Sequence, residues 1–575
     1  MASVVVELVK GRWFVVFASL LIMSVSGATY MFGLYSGEVK STLGYDQSTL
    51  NLLSVFKDLG ANVGLLSGLI NEIAPPWVVL SLGAILNLFG YLMMWLSVTG
   101  RVVKPAVWQM CVYIYIGSNS QTFANTGALV TCVKNFPESR GFVIGLLKGF
   151  VGLSGAILAQ IYRGAYGHDT KGLILFVGWL PAVASFIFLR IVRFMKVVRQ
   201  ANESRVFHNI LFISLGLAGF LMIMIILQTV FQFSQSGYAA SASVVVGLLF
   251  APLIVIFRED LNLWKVKTQG RRLDRNQETG LKEIPENPKL DESAAAKQID
   301  GTKECQRKPD RCFSNVFSPP ERGEDYSILQ ALFSIDMLTL FTATTFGVGG
   351  TLTAIDNLGQ IGRSLGYPAK SITTFVSLVS IWNFLGRVSA GFVSEILLKK
   401  YKFPRPMLLT SVLFVSCSGH LLVAFGVPNS LYVSSIIMGV CFGAQWPLIF
   451  AIISELFGLK YYSTLFNLGA AASPVGVYIL NVVVAGHLYD KEALKQLAAK
   501  GLKRKEGQAL TCIGVECYKV SFLIIAGATF VGCIFSFLLV VRTREFYKSD
   551  IYKKFREQAE EIDRPISPRT IQMLN

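Results

Sequence analysis

Three ionisable side chains inside apolar runs are the residues of this sequence most able to do chemistry. Lys148, Asp58 and Arg387 each lie in a mostly apolar stretch of about 20 residues, the length that crosses a bilayer. A charge at the centre of a membrane span costs roughly 2.5–3.5 kcal/mol on insertion scales, so such residues are candidates for function. An ammonium or guanidinium there can bind an anion, and a carboxyl group can carry a proton.

Each of these residues also has a structural alternative. Lys148 shares a helical face with Gly145 and Gly152, and small residues leave room for a ligand beside the ammonium. The alternative is an ion pair with Asp58. Asp58 itself either carries protons or serves the packing between helices.

Acidic residues near the ends of apolar runs are candidates for gates. Glu72 and Glu395 each stand four residues after a glycine, in two distant parts of the chain. The glycine lets a neighbouring helix approach closely, and the acid can accept a hydrogen bond from the N-terminus of that helix or from an arginine. Arg387 could therefore contact a ligand or clamp Glu395 or Glu455, which makes Glu455 the third gate candidate.

A third group is uncharged but polar, and it also lies within apolar runs. Amide and hydroxyl groups in a membrane span hydrogen-bond either a solute in a cavity or a neighbouring helix. The candidates for contact with a solute are Tyr30, Gln121, Asn125, Asn357 and Gln445.

The composition indicates that membrane helices carry all these residues. Of 575 residues, 53% are hydrophobic and 15% are charged, and the mean hydropathy is +0.52. Soluble domains carry about 25% charged residues, so soluble, fibrous, disordered and disulfide-rich classes are excluded. The net charge of +17 resides in loops and tails, which is how membrane topology is set, and no nucleic-acid partner is expected.

Apolar windows long enough to cross the bilayer predict an all-α integral membrane protein with fourteen spans. The distribution of Lys and Arg places both termini in the cytosol. The predicted spans are 11–35, 47–70, 77–99, 105–133, 139–163, 173–194, 208–232, 238–258, 328–357, 371–395, 405–427, 430–457, 461–488 and 519–542.

The spans divide the chain into five segments. Residues 1–195 form a six-helix bundle, 196–258 two additional membrane helices, and 328–545 a second six-helix bundle. Residues 259–327 are rich in charge and proline and poor in large apolar side chains, which predicts a disordered cytosolic linker. Residues 546–575 form a cytosolic tail.

The cysteines and known motifs limit the chemistry further. Cys512 and Cys517 lie in a loop predicted to be non-cytosolic, where a disulfide can form. No phosphate-binding loop, zinc-protease motif or nucleophile elbow is present. We therefore expect neither an enzyme nor a bound cofactor or metal, and any transport must be driven by a gradient.

The sequence resembles the plant nodulin-like branch of the major facilitator superfamily. The resemblance covers nearly the whole chain outside 258–327. It rests on a set of stretches that includes Lys57-Asp-Leu-Gly-Ala-Asn-Val-Gly64, Asn125-Thr-Gly-Ala-Leu-Val-Thr-Cys-Val-Lys-Asn-Phe-Pro137, Trp382-Asn-Phe-Leu-Gly-Arg387, Ser454-Glu-Leu-Phe-Gly458 and Ala485-Gly-His-Leu-Tyr-Asp490.

The resemblance implies a two-bundle transporter with twelve core helices and about two extra helices between the halves. It also implies a central cavity lined by the first, fourth, seventh and tenth core helices. We expect a secondary transporter that moves a small polar, anionic solute by alternating access, with protons as a candidate coupling ion, in the plasma membrane or the vacuolar membrane. The alternative is a non-transporting sensor or scaffold that signals through the cytosolic linker.

Overall fold

The computed structural model describes most of the chain outside the termini and the middle of the predicted linker. The described residues are 9, 11–45, 47–167, 169–195, 202–231, 233–262, 316–501 and 510–557. Within these ranges the chain is helical and has no β-strand. The parts of the predicted linker and tail at 263–315 and 558–575 lie outside the described residues.

Long helices occupy all fourteen predicted spans. Those of the first part are α1 Arg12–Leu43, α2 Thr49–Ile73, α3 Pro76–Val98, α4 107–135, α5 Arg140–Tyr166, α6 Thr170–Phe188, α7 Glu203–Val230 and α8 Gln235–Asn262. Those of the second part are α9 Ile335–Ser364, α10 Ala369–Tyr401, α11 Arg405–Phe425, α12 Ser430–Leu456, α13 Tyr462–Ala499 and α14 Glu516–Lys548.

Thirteen of these helices are long and apolar enough to cross a membrane, and α4 is the remaining one. It runs over Val107–Ala124, passes through a π-helical turn at Asn125–Val130 and ends with Thr131–Asn135. Polar residues such as Gln121 lower its hydropathy, although most of them are buried inside the protein. The chain is therefore a multi-pass membrane protein.

Helix α8 packs against α5 and α7, and α7 also packs against α10. The Gln160 side chain of α5 and the Gln228 side chain of α7 exchange two hydrogen bonds of 3.0 and 2.9 Å. At the other end of α7, Glu203 forms an ion pair with Arg12 of α1. The His208 ring of α7 also lies 5.3 Å from the ring of Phe392 in α10, so α7 contacts both halves of the protein.

The prediction of a disordered linker over 259–327 is wrong at both of its ends. Helix α8 continues to Asn262, and residues 316–327 pack against the C-terminal half. The backbone N–H groups of Gly323 and Tyr326 donate to the carbonyls of Leu456 and Phe457, at 3.0 and 3.1 Å. A helix leaves its last carbonyls without partners, and this segment supplies partners for the end of α12.

We call the end of the bundles at which Asn262 and Val316 lie the linker end, and the other end the opposite end. The start of the predicted tail also packs at the linker end, where Tyr547 and Tyr552 are buried. The predicted boundary at 546 is thus too early. At the opposite end, Cys512 and Cys517 are joined by a disulfide.

Candidate functional site

A small cavity lies where the two halves meet, with about 380 Å³ of space between atoms, part of it open to solvent. Only a small part of that space could hold water-sized molecules, so the cavity is narrow in the conformation described. Five of the predicted contact residues line it, and none of the described residues that line it is acidic. The lining residues include Tyr30, Gln121, Asn125, Lys148, Arg387, Trp446, Phe466 and Asn467.

Breaks in regular helix geometry place two of these residues. Tyr30 lies in a 3₁₀ segment, Ala28–Met31, that interrupts α1. Asn125 begins the π-helical turn of α4. Such interruptions are frequent at functional sites because they redirect side chains from the regular helical face. Gly155 of α5 makes room for the first break, since a Cβ atom there would lie 3.1 Å from Cβ of Tyr30.

Lys148 is only 7% exposed and is surrounded by aromatic rings. Its Nζ atom lies 4.8 Å from the ring centroid of Phe450, 5.1 Å from that of Phe466 and 5.5 Å from that of Trp446. Among the described residues the ammonium has no hydrogen bond or ion pair. The ammonium is therefore stabilised by cation–π attraction to the faces of these rings rather than by an anion.

The alternative ion pair of Lys148 with Asp58 does not form. Asp58 is instead 3.0 Å from the Nζ atom of its chain neighbour, Lys57. Long side chains can span the angle of about 100° between adjacent helical positions.

Arg387 connects the two halves at the cavity. From α10 its Nη1 atom donates to the backbone carbonyl of Lys148 at 2.7 Å, and its Nη2 atom donates to the Tyr30 hydroxyl at 3.1 Å. The Nε atom donates to Asn383 at 2.8 Å. A guanidinium has five N–H groups, so these three bonds leave two for a ligand.

Three predicted contact residues lie away from the cavity. Asp58 does not line it. Asn357 donates to Asn481 at 2.7 Å, and Gln445 donates to Thr351 at 3.3 Å. Both amides thus hydrogen-bond neighbouring helices. For Gln445 the reason is helical phase, because the next residue, Trp446, takes the position that faces the cavity.

The predicted gate residue Glu395 lies in a buried ion cluster at the linker end. Its Oε2 atom accepts a hydrogen bond from the backbone N–H of Gly141, at the start of α5, at 2.9 Å. Arg405 lies 2.5 Å from the same oxygen and 2.7 Å from Oε1 of Glu455. Of the two roles considered for Arg387, the clamp on these acids is therefore wrong, because Arg405 contacts both.

Glu72 repeats this geometry in the other half. Its Oε1 atom accepts a hydrogen bond from the backbone N–H of Thr464, near the start of α13, at 3.2 Å. Lys134 lies 3.6 Å from its other oxygen, and the neighbouring Asn71 donates to Ser463 at 2.8 Å. Each acid of the repeated pattern thus meets the N-terminus of a helix in the opposite half, where unpaired N–H groups favour negative charge.

Sequence reasoning missed several residues at the linker end. Arg140 of α5 donates to the carbonyl of Ser454 at 2.8 Å, and its guanidinium lies 5.3 Å from the ring centroid of Tyr552. The Tyr552 hydroxyl lies 3.3 Å from Glu395 and 3.2 Å from Glu455. Arg140 lies near a predicted loop and Tyr552 in the predicted tail, so only the folded chain reveals their shared site.

Glycine controls how closely the halves approach at this end. A Cβ atom on Gly391 of α10 would lie 2.5 Å from Cα of Gly145 in α5, which is closer than packed atoms allow. Gly391→Ala is therefore expected to destabilise the protein by about 1–3 kcal/mol, the usual cost of overpacking. Thermal unfolding of the purified protein in detergent measures this effect. Gly527→Ala is the control, since a Cβ atom at Gly527 meets nothing within 4 Å, and equal stability of the two variants would contradict the prediction.

Two family models match the chain and together span both bundles. The model described as Nodulin-like matches residues 12–257, and the model described as NFD4, C-terminal domain, matches residues 324–549. The protein NUCLEAR FUSION DEFECTIVE 4 of Arabidopsis thaliana is 23% identical over 549 residues, covering 93% of this chain and 89% of that relative. The probable transporter MCH1 of Yarrowia lipolytica is 25% identical over 212 residues, covering 35% of this chain and 41% of that relative.

Solved transporters share the fold. The major facilitator proton:xylose symporter XylE, bound to 6-bromo-6-deoxy-D-glucose, is similar with a TM-score of 0.54 and 12% identity, over 93% of this chain and 96% of that one. An outward-facing bacterial homologue of the iron transporter ferroportin is similar with a TM-score of 0.52 and 10% identity, over 92% and 98% of the two chains. At these identities the likeness concerns the fold alone. With the family matches, it shows that this chain belongs to the nodulin-like proteins of the major facilitator superfamily.

Proposed function

We propose that the protein is a secondary active transporter that moves a small polar, anionic solute by alternating access. The observation that carries the proposal is the pair of cations, Lys148 and Arg387, at one cavity between the halves without an acidic lining residue among those described. Two like charges in a poorly hydrated site repel each other. An anion bound between them would relieve that repulsion.

Arg387 gives the anion a way to act on the conformation. Its bonds to Tyr30 and to the Lys148 carbonyl join α10 to the N-terminal half. A carboxylate or phosphate that accepts from the two remaining N–H groups would bind the same guanidinium. Binding of the solute is therefore coupled to one contact that holds the halves together at the cavity.

The contacts of Glu72, Glu395 and Glu455 are the proposed gate. We place the linker end in the cytosol together with both termini, as the distribution of basic residues favours. In the conformation described, both helix N-terminus contacts at that end are formed. Transport to the cytosolic side would require breaking them, and reforming them would reset the carrier.

Uptake by proteoliposomes that contain the purified protein tests the proposal. A panel of labelled organic acids is offered with and without an inward proton gradient. Saturable uptake or exchange of at least one acid is expected, whereas empty liposomes show only non-saturable passive entry. If protein shown to be folded takes up none of the acids, the anion proposal is overturned and the sensor alternative is favoured.

Proton coupling through Asp58 is tested in the same assay. If Asp58 carries the proton, Asp58→Asn is expected to abolish the stimulation by the gradient while exchange of the solute persists, because an amide cannot titrate. Lys519→Gln is the control, since Lys519 belongs to an exposed pair with Glu516. If the gradient stimulates uptake by Asp58→Asn as much as uptake by the wild type, Asp58 is not the proton carrier. If the gradient does not change uptake by the wild type, transport is not coupled to protons.

A further inference from the structure

Two polar atoms on residues that line the cavity have no partner among the described residues. They are Oδ1 of Asn125 and Nε1 of Trp446, on side chains that are 3% and 5% exposed. The Asn125 amide is oriented by its other end, since Nδ2 donates to the carbonyl of Gln121 at 2.7 Å. The free atoms are therefore one acceptor, on Asn125, and one donor, on Trp446.

Unpaired buried polar atoms are uncommon in folded proteins, because they lose water without gaining a partner. At a cavity between charged residues, such atoms indicate what a ligand supplies. Beside these two atoms lie the three N–H groups of Lys148 and the two remaining N–H groups of Arg387. Together these groups offer several donors, two positive charges and, on Asn125, a buried acceptor without a partner among the described residues.

We infer that the solute is a small hydroxycarboxylate, an inference that rests on the proposed anion transport and names the substrate class. Its carboxylate would accept from Lys148 and Arg387. Its hydroxyl group would donate to Oδ1 of Asn125 and accept from Nε1 of Trp446. A hydroxyl can do both at once, so one ligand would pair both buried atoms and neutralise charge at the two cations.

Other classes of small acid fit this set less well. A keto acid presents only acceptors and leaves Oδ1 of Asn125 unpaired. An amino acid can donate to that oxygen, but it brings an ammonium close to two cations. A simple fatty acid leaves both Asn125 and Trp446 unpaired. Sites that hydrogen-bond a hydroxyl group reject ligands without one far more strongly than apolar pockets reject an extra methylene.

Matched pairs of acids in proteoliposomes test the inference. Uptake of labelled lactate is compared with uptake of propionate and pyruvate, and uptake of glycolate with that of acetate. The hydroxy acid of each set is expected to be taken up at least about 10-fold faster at equal concentration, since the other acids leave a buried group unpaired. The protein is the full chain, and empty liposomes correct for passive entry of the protonated acids.

Two variants test the residues named. Asn125→Leu and Trp446→Phe each remove one of the two free atoms, and Trp446→Phe keeps an aromatic ring beside Lys148. Both are expected to reduce the lactate-to-propionate ratio to within about 3-fold, chiefly by slowing lactate, because a hydroxyl group then loses its partner. Trp179→Phe, a tryptophan that does not line the cavity, is expected to keep the wild-type ratio.

The outcomes separate this inference from the proposal beneath it. No uptake of any carboxylate by folded protein would overturn the proposed function, and the inference with it. Equal uptake of lactate and propionate by the wild type would overturn the inference alone. Water would then be the partner of Oδ1 of Asn125 and Nε1 of Trp446. If both variants keep the wild-type lactate-to-propionate ratio, the assignment of the hydroxyl contact to Asn125 and Trp446 is wrong.

Discussion

Lys148→Gln is expected to reduce uptake of the anionic solute by about 30-fold or more. Losing a buried, charge-assisted contact costs about 2–5 kcal/mol, and 2 kcal/mol corresponds to roughly 30-fold. Lys148 has no carboxylate partner among the described residues, so the variant leaves no acid unpaired. Its three ring neighbours can close around a neutral amide. The loss is therefore expected in transport and not in folding.

Initial uptake rates in proteoliposomes, at equal amounts of inserted protein, measure this effect. Size-exclusion profiles and thermal unfolding report whether the variant is folded. Lys519→Gln removes one positive charge far from the cavity, on an exposed pair, and is expected to transport like the wild type. Wild-type rates in Lys148→Gln would rule out Lys148 as a binding residue.

Arg405→Met is expected to be the most destabilising substitution of a single charged residue at the linker end, costing about 3–5 kcal/mol. Arg405, Glu395 and Glu455 have fully buried side chains. Removing the shared cation leaves the buried Glu455 without a cation and Glu395 with only the partly exposed Lys399, and breaking a buried ion pair from one side usually costs this much. The structural role of Arg405 thus differs from that of Lys148, which has no such partner.

The measurement is thermal or chemical unfolding of the purified variant in detergent. Lys399→Met is the matched control, because Lys399 contacts the same Glu395 at 3.3 Å from a side chain that is 39% exposed. Exposed pairs contribute about 0–1 kcal/mol. Adding Glu395→Gln and Glu455→Gln to Arg405→Met is expected to recover part of the loss. Equal stability of Arg405→Met and Lys399→Met would contradict this account of the cluster.

The fold was largely predictable because a membrane span has a simple signature. Hydropathy located every long helix of the described residues, including α4, whose polar residues lower its mean hydropathy. The glycine-acid pattern at Glu72 and Glu395 indicated a hydrogen bond either to the N-terminus of a neighbouring helix or to an arginine, and the structure contains the helix N-terminus contact twice. These features depend on residues close together in the chain.

The site was only partly predictable because its shape depends on distant segments. Gln445 and Trp446 are adjacent, yet one hydrogen-bonds α9 and the other lines the cavity, and sequence patterns do not fix helical phase that finely. Phe466 contacts Lys148 only because α13 lies beside α12. Arg405, at the first position of α11, resembles the basic residues that flank many membrane helices. Its role emerges only when Glu395 and Glu455 are brought together.

The position of α7 has a consequence for motion. Glu203 holds its first turn to α1, Gln228 holds its last turn to α5, and His208 packs against Phe392 of α10. If the halves rock apart at the linker end, α7 cannot keep all three attachments. Either the His208–Phe392 contact slides or the helix tilts, so in the proposed alternating-access cycle the contacts of α7 oppose the motion of the halves. A helix outside the twelve-helix core can thus influence the rate without touching the solute.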